Sequence, residues 1–108
     1  MTEQRIYLDH IAGTPILPEV LQAMLPFLQV HFGNPASIHH HGEVPQDALF
    51  RSREQVARLI GAENEEIIFT SGATESNNTA ITGIAEYLRN KGNHIIISSI
   101  EHSSVRAV

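Results

Sequence analysis

In "IIFTSGATESNN", residues 67–78, an apolar run gives way within two positions to Ser71, Gly72 and Thr74. A buried-type segment that stops on small polar residues and then opens a helix is a place to hold an anion. Ser71 and Thr74 offer hydroxyls, and Gly72 lets the backbone approach a guest closely. The N–H groups of Ala73 and Thr74 fall where a helix leaves its first donors without an internal acceptor. A phosphate suits such a turn. A second apolar run, "HIIISS", leads into "IEHSS", which brings His102 to the corresponding end of the next strand. An imidazole beside an anion site can stack on a ring or move a proton. The bland readings stand beside these: a strand, a glycine turn and a Ser/Thr-capped helix occur with nothing bound, and a histidine before a helix is commonly a cap.

Other chemistries find less support. The spacings GxxxxGK[ST] and GxGxxG are absent, which argues against nucleotide binding. His39, His40 and His41 are adjacent rather than spaced by four and have no carboxylate pattern beside them, so a polar loop is favoured over a metal site. Glu75 and Glu101 lie on neighbouring loops, but nothing further marks them as an acid/base pair. The chain has no cysteine, hence no disulfide, thiolate ligand or cysteine nucleophile of its own. Seven Lys and Arg stand against twelve Asp and Glu, a net charge of -5 with no basic stripe, which disfavours nucleic acid. No apolar run reaches the roughly 18 residues of a membrane helix. The opening "MTEQRIYLDH" lacks signal-peptide character, so a cytoplasmic protein is expected.

The elements that must position these residues can be laid out from the pattern. The length, 108 residues, suits one modest domain or a piece of one. "RIYLDH" reads as an extended arm broken by "AGTP". Pro18 suits a first helical turn, and Val20, Leu21, Met24, Leu25 and Leu28 recur at helical spacing. Pro26 either ends that helix near Leu25 or kinks it on the way to Val30. "HFGNPASIHHHGE" reads as loop. A second helix is expected over 45–60, with Leu49, Val56, Leu59 and Ile60 inward, Arg51, Arg53, Glu54 and Arg58 mostly outward, and Gly61 ending it. "EEIIFT" reads as a buried strand. "SNNTAITGIAEYLRNKG" reads as a helix with Ala80, Ile81, Ile84, Ala85 and Leu88 on its apolar side, closed near Gly92. "HIIISS" reads as a second strand, and "EHSSVRAV" opens a helix capped by Ser103 or Ser104. The order β, α, β, α is a βαβ unit with a right-handed crossover, the start of an α/β fold with a mostly parallel sheet. The division expected is 1–62, arm and helices, and 63–108, the opening of the α/β domain.

Five blocks in order, "IYLDHIAGTP", "PEVLQAMLPFL", "HFGNPASIHHHG", "ARLIGAENEEIIFTSGATESNN" and "KGNHIIISSIEHSSV", resemble the N-terminal part of the cysteine desulfurases. These are pyridoxal-phosphate enzymes of the class V aminotransferase group, with the aspartate aminotransferase-like fold type I. The resemblance covers essentially the whole chain. "GNPxSxH" followed by "FTSGATESNN" and "IEH" separates this group from phosphoserine aminotransferases and kynureninases, and less sharply from selenocysteine lyases.

The resemblance implies roles. Ala73 and Thr74 would hold the phosphate of pyridoxal 5'-phosphate, with Ser71 and Gly72 shaping the turn. His102 would stack on the pyridine ring and assist proton transfer, as both a catalytic and a cofactor-binding residue. Ala12, Gly13 and Thr14 would lie on the substrate side, and the block 34–39 would help shape a dimer and the site entrance. Where the family often has "LDNxATTP", this chain has "LDHIAGTP", so Gly13 removes a hydroxyl. The family's cofactor-bearing lysine, substrate arginine and persulfide-forming cysteine would come from sequence beyond Val108 or from another chain. Lys91, the single lysine, sits in a "NKGNH" turn. The implied activity is removal of sulfur from L-cysteine, giving alanine and a protein persulfide for Fe–S cluster or thio-cofactor synthesis. It would run in a homodimer or heteromeric assembly with a sulfur-acceptor protein, and the isolated chain would be inactive. Alternatives are a selenocysteine lyase or another class V enzyme, and a non-catalytic assembly module that keeps the fold.

Overall fold

The computed structural model describes residues 5–108, in the element order α1 (Pro18–Gln29), α2 (His40–Ile60), a 3-10 turn (Asn64–Glu66), α3 (Ala73–Leu88) and α4 (Ser103–Arg106). By its internal contacts the chain divides into two units, Met1–Asn64 and Glu65–Val108.

In the first unit, residues 5–17 form no regular element apart from a turn in which the Ala12 N–H donates to the Asp9 carbonyl at 3.2 Å. Pro18 opens α1 as its spacing predicts, since the missing N–H would have had no acceptor there. Of the two outcomes posed by Pro26, the helix takes the second and runs on to Gln29. The proline forfeits only the bond to the exposed Gln22, while its own carbonyl accepts from Val30 and His31 at 2.9 and 2.8 Å. Along α1 only Leu25 is half-buried.

Helix α2 starts at His40, five residues before the expected position, because the loop 33–39 folds onto its first turn. Asn34 anchors that loop: its Oδ1 accepts from the Ala36 N–H at 2.9 Å and its carbonyl from the Ser37 N–H at 3.0 Å. A Cβ on Gly42 would overlap the Ser37 carbonyl oxygen and stand 2.9 Å from that of Asn34, and one on Gly33 would overlap the His41 carbonyl oxygen. Pro45 lies inside the helix and has no N–H to offer the His41 carbonyl four residues back; the chain brings Gly33 against that same carbonyl. At the far end Gly61 takes the left-handed conformation (φ 70°), and the N–H of Ala62 donates to Ala57 at 2.9 Å, so the glycine stop is as the sequence predicts. The inward face differs from the expected one. Ala57 is buried, Leu49, Val56 and Arg53 are half-buried, and Leu59 and Ile60 are exposed.

The second unit corrects the βαβ expectation. Among the described residues there is no strand: the 3-10 turn takes 64–66, where the first strand should begin, and 67–70 and 93–98 carry no ladder. A parallel strand gains its hydrogen bonds only from a neighbour laid beside it, and neither segment forms part of a ladder among the described residues. Most of their apolar side chains remain open to solvent, Ile96 by 86% and Ile68 by 73%, while Ile67 is half-buried. Helix α3 begins at Ala73, three residues earlier than expected, and is followed by a turn in which the Lys91 and Gly92 N–H groups donate to the Leu88 carbonyl at 2.7 and 3.2 Å. Its half-buried stripe is Ile81, Ala85 and Leu88, whereas Ala80 and Ile84 are exposed. Helices α3 and α4 pack on one another.

Candidate functional site

The turn before α3 is stitched by its own side chains. Thr70 Oγ1 lies 2.6 Å from Ser76 Oγ, and both hydroxyls reach the Gly72 carbonyl, at 3.2 and 3.3 Å. The Ser76 N–H donates to that carbonyl at 3.1 Å, which starts the helix. One carboxylate oxygen of Glu75 accepts from both the Ser71 hydroxyl at 2.6 Å and the Ser71 N–H at 2.7 Å. Glu75 therefore reaches back over the helix start in the manner of a capping box displaced by one residue. The hydroxyl first, and the N–H second, hold its carboxyl below the ordinary carboxylate range, with desolvation opposing.

That network leaves a specific set of donors over. Among the described residues no acceptor engages the N–H of Ala73 or Thr74, and the Thr74 hydroxyl has no hydrogen bond. A Cβ on Gly72 would meet nothing within 4 Å, so the space beside it is open. Two aligned amides, a free hydroxyl and the positive end of a 16-residue helix fit a dianion. The serine is different: both Ser71 donors are taken by Glu75.

His102 is the residue that caps α4, in place of the expected Ser103 or Ser104. Its Nδ1 accepts from the Ser104 N–H at 3.1 Å and lies 2.9 Å from Ser104 Oγ, which in turn accepts from Asn77 Nδ2 at 2.9 Å. Ser104 is only 8% exposed. A cavity of about 340 Å³ lined by Thr74, Asn78, Ser103, Ser104 and Ala107 joins the start of α3 to α4. The structure thus brings Thr74 to the residues that directly follow His102.

The other expected positions lie elsewhere. Ala12, Gly13 and Thr14 are exposed in the first unit, with open space around Gly13. Lys91 borders a separate cavity of about 680 Å³ with Ile81, Leu88 and His94. His40 and His41 stand in the first turn of α2 with ring centroids 4.4 Å apart, and no group of three potential metal ligands occurs among the described residues. Two participants take parts that the sequence pattern does not assign them, with Glu75 weighed there only as half of an acid/base pair. Glu75, as the third residue of a helix, carries a capping signature. Asn77 meets Ser104 across 27 positions, and no local pattern announces that pair.

The Aminotransferase class-V family profile matches residues 6–108. The chain is 53% identical over 103 residues to the cysteine desulfurase IscS of Dictyoglomus turgidum, covering 95% of this chain and 26% of that protein. With the cysteine desulfurase IscS of Methanosarcina thermophila it shares 51% over 100 residues, covering 93% and 25%. A solved NifS-like protein superposes with a TM-score of 0.89 at 36% identity, over 96% of this chain and 29% of that one. The chain spans about a quarter of the length of the curated relatives it matches, and it corresponds to their N-terminal part.

Proposed function

The chain belongs to the aminotransferase class-V family, and from that premise we propose that it is the N-terminal portion of a pyridoxal-phosphate-dependent cysteine desulfurase acting on L-cysteine. The observation that carries this reading is the set of donors left over at the start of α3: the Ala73 and Thr74 amides and the Thr74 hydroxyl. They would hold the cofactor phosphate, assisted by the helix dipole. Gly72 leaves the approach clear, and Glu75 keeps Ser71 in place rather than binding the phosphate itself. His102 would lie against the pyridine ring. Because its Nδ1 is engaged by Ser104, Nε2 is the nitrogen available to hold or move a proton there. When bound, the cofactor supplies an electron sink for bond breaking at the substrate.

Two groups must come from outside these 108 residues. With no cysteine the chain cannot take up the sulfur, and Lys91 lies against a different cavity from Thr74. A separate stretch of polypeptide would provide the cofactor-bearing lysine and the sulfur-accepting thiol, whether continuous with this chain or as a second subunit. Release of alanine and sulfide from L-cysteine by the native assembly, in the presence of a reductant, tests the reading. Thr74→Ala should weaken pyridoxal phosphate binding about tenfold or more, the worth of one hydrogen bond to a charged group. Unchanged cofactor affinity in that variant, or no alanine formed, would reject it.

A further inference from the structure

The contact between α3 and α4 contains a polar relay ending on the imidazole. Asn77 Nδ2 donates to Ser104 Oγ at 2.9 Å, Ser104 Oγ stands 2.9 Å from His102 Nδ1, and the Ser104 N–H donates to that nitrogen at 3.1 Å. The chemistry of these groups fixes the direction of the chain of bonds. A backbone N–H can only donate, so its approach favours the tautomer with Nδ1 bare and the hydrogen on Nε2, a preference that a hydroxyl hydrogen aimed at the same nitrogen would add to. Ser104 Oγ already accepts the Asn77 amide hydrogen, which leaves its own hydrogen free to point at the same bare nitrogen.

We propose that Asn77 is a positioning residue: acting through Ser104 Oγ, it holds the His102 imidazole in its Nε2–H tautomer and in one orientation. The role in catalysis rests on the reading of His102 as the imidazole beside the cofactor, while the tautomer is a property of this chain's own residues. The relay lies where it can matter, because Ser104 is only 8% exposed and Asn77 is half-buried, so water competes poorly for these bonds. It also ties the two halves of the site together. The helix whose first turn leaves the Ala73 and Thr74 donors free sends Asn77, one turn on, to orient the histidine.

The test is nitrogen NMR of the native assembly carrying imidazole-¹⁵N histidine, with His102→Gln identifying the signal. In the parent protein, the neutral ring should give one bare Nδ1 and one protonated Nε2. Asn77→Ala should raise the Nδ1–H population about two- to tenfold, the range one net hydrogen bond commands. Asn77→Asp, nearly the same shape but an acceptor only, should do so too, because Ser104 Oγ–H would turn toward the carboxylate. If Asn77→Ala loses helicity, the aspartate variant decides. In a Ser104→Ala background, Asn77→Ala should have no further effect. An unchanged tautomer ratio in Asn77→Asp, or a full Asn77 effect without the Ser104 hydroxyl, would overturn the relay. Adding pyridoxal phosphate separates the two claims. A shift at Nε2 supports both, whereas an intact tautomer lock with no response at Nε2 sinks the role beside the cofactor.

Discussion

Two glycine-bearing turns, 33–42 in the first unit and 70–76 in the second, look alike in composition and differ in what surrounds the glycines. Around Gly33 and Gly42 the protein's own carbonyls occupy the space a side chain would need. The turn is closed on itself, with the Asn34 carbonyl and side-chain oxygen both used. Around Gly72 there is open space, and the backbone there is extended (φ 166°), a conformation any residue adopts. Packing explains the first pair of glycines; beside Gly72, as beside Gly13, Gly83 and Gly92, no protein atom fills the space, which leaves room for the proposed guest. The free Ala73 and Thr74 donors beside Gly72 point to the same conclusion.

Substitution sharpens the contrast. Gly42→Ala should destabilise the first unit by about 1–3 kcal/mol, because the overlap with the Ser37 carbonyl exceeds the ~1 kcal/mol that alanine gains over glycine in a helix. Urea denaturation followed by circular dichroism would show it as a lowered midpoint, and an unchanged midpoint would mean that the loop is not closed as described. Gly72→Ala should cost under about 1 kcal/mol, the scale of a helix-cap change, while weakening pyridoxal phosphate. A large stability loss there would erase the distinction between the two turns. Glu75→Gln should act least, and through pH. The Glu75 carboxyl is depressed by Ser71, so its bonds are intact above the ordinary carboxylate range and are lost as pH falls through the lowered value. Hydrogen exchange of the Ser71 amide should therefore speed up on acidification in the parent protein beyond the intrinsic rate, and the glutamine variant should lack that pH dependence.

What the sequence disclosed follows the range of the forces involved. Pro18, Gly61 and the leucine spacing in α1 act within a few residues and place the helix start, the glycine stop and the helix itself where expected, but the buried face that the spacing implies for α1 is not found: Val20, Leu21, Met24 and Leu28 are exposed. The start of α2 was hidden because it depends on Gly33 and Gly42 fitting against carbonyls several residues away. The strands failed for a plainer reason. "EEIIFT" and "HIIISS" have strand-like side chains, but a ladder is a property of paired backbones that a side-chain pattern does not report, and none forms among the described residues. At the candidate site, Thr74 and His102 stood out by type, and the structure adds a shared α3–α4 setting for Thr74 and the residues after His102. The Asn77–Ser104 bond, formed between helices, had no sequence signature.

The proposed site stands or falls on whether the amides opening α3 grip a phosphate. Backbone ¹⁵N–¹H spectra of the native assembly, recorded as pyridoxal phosphate is added, test it most directly. The Ala73 and Thr74 amides should move most, and those around the Lys91 cavity should stay still. Still amides at Ala73 and Thr74, with the largest movement at Lys91, Gly92 and His94, would contradict it.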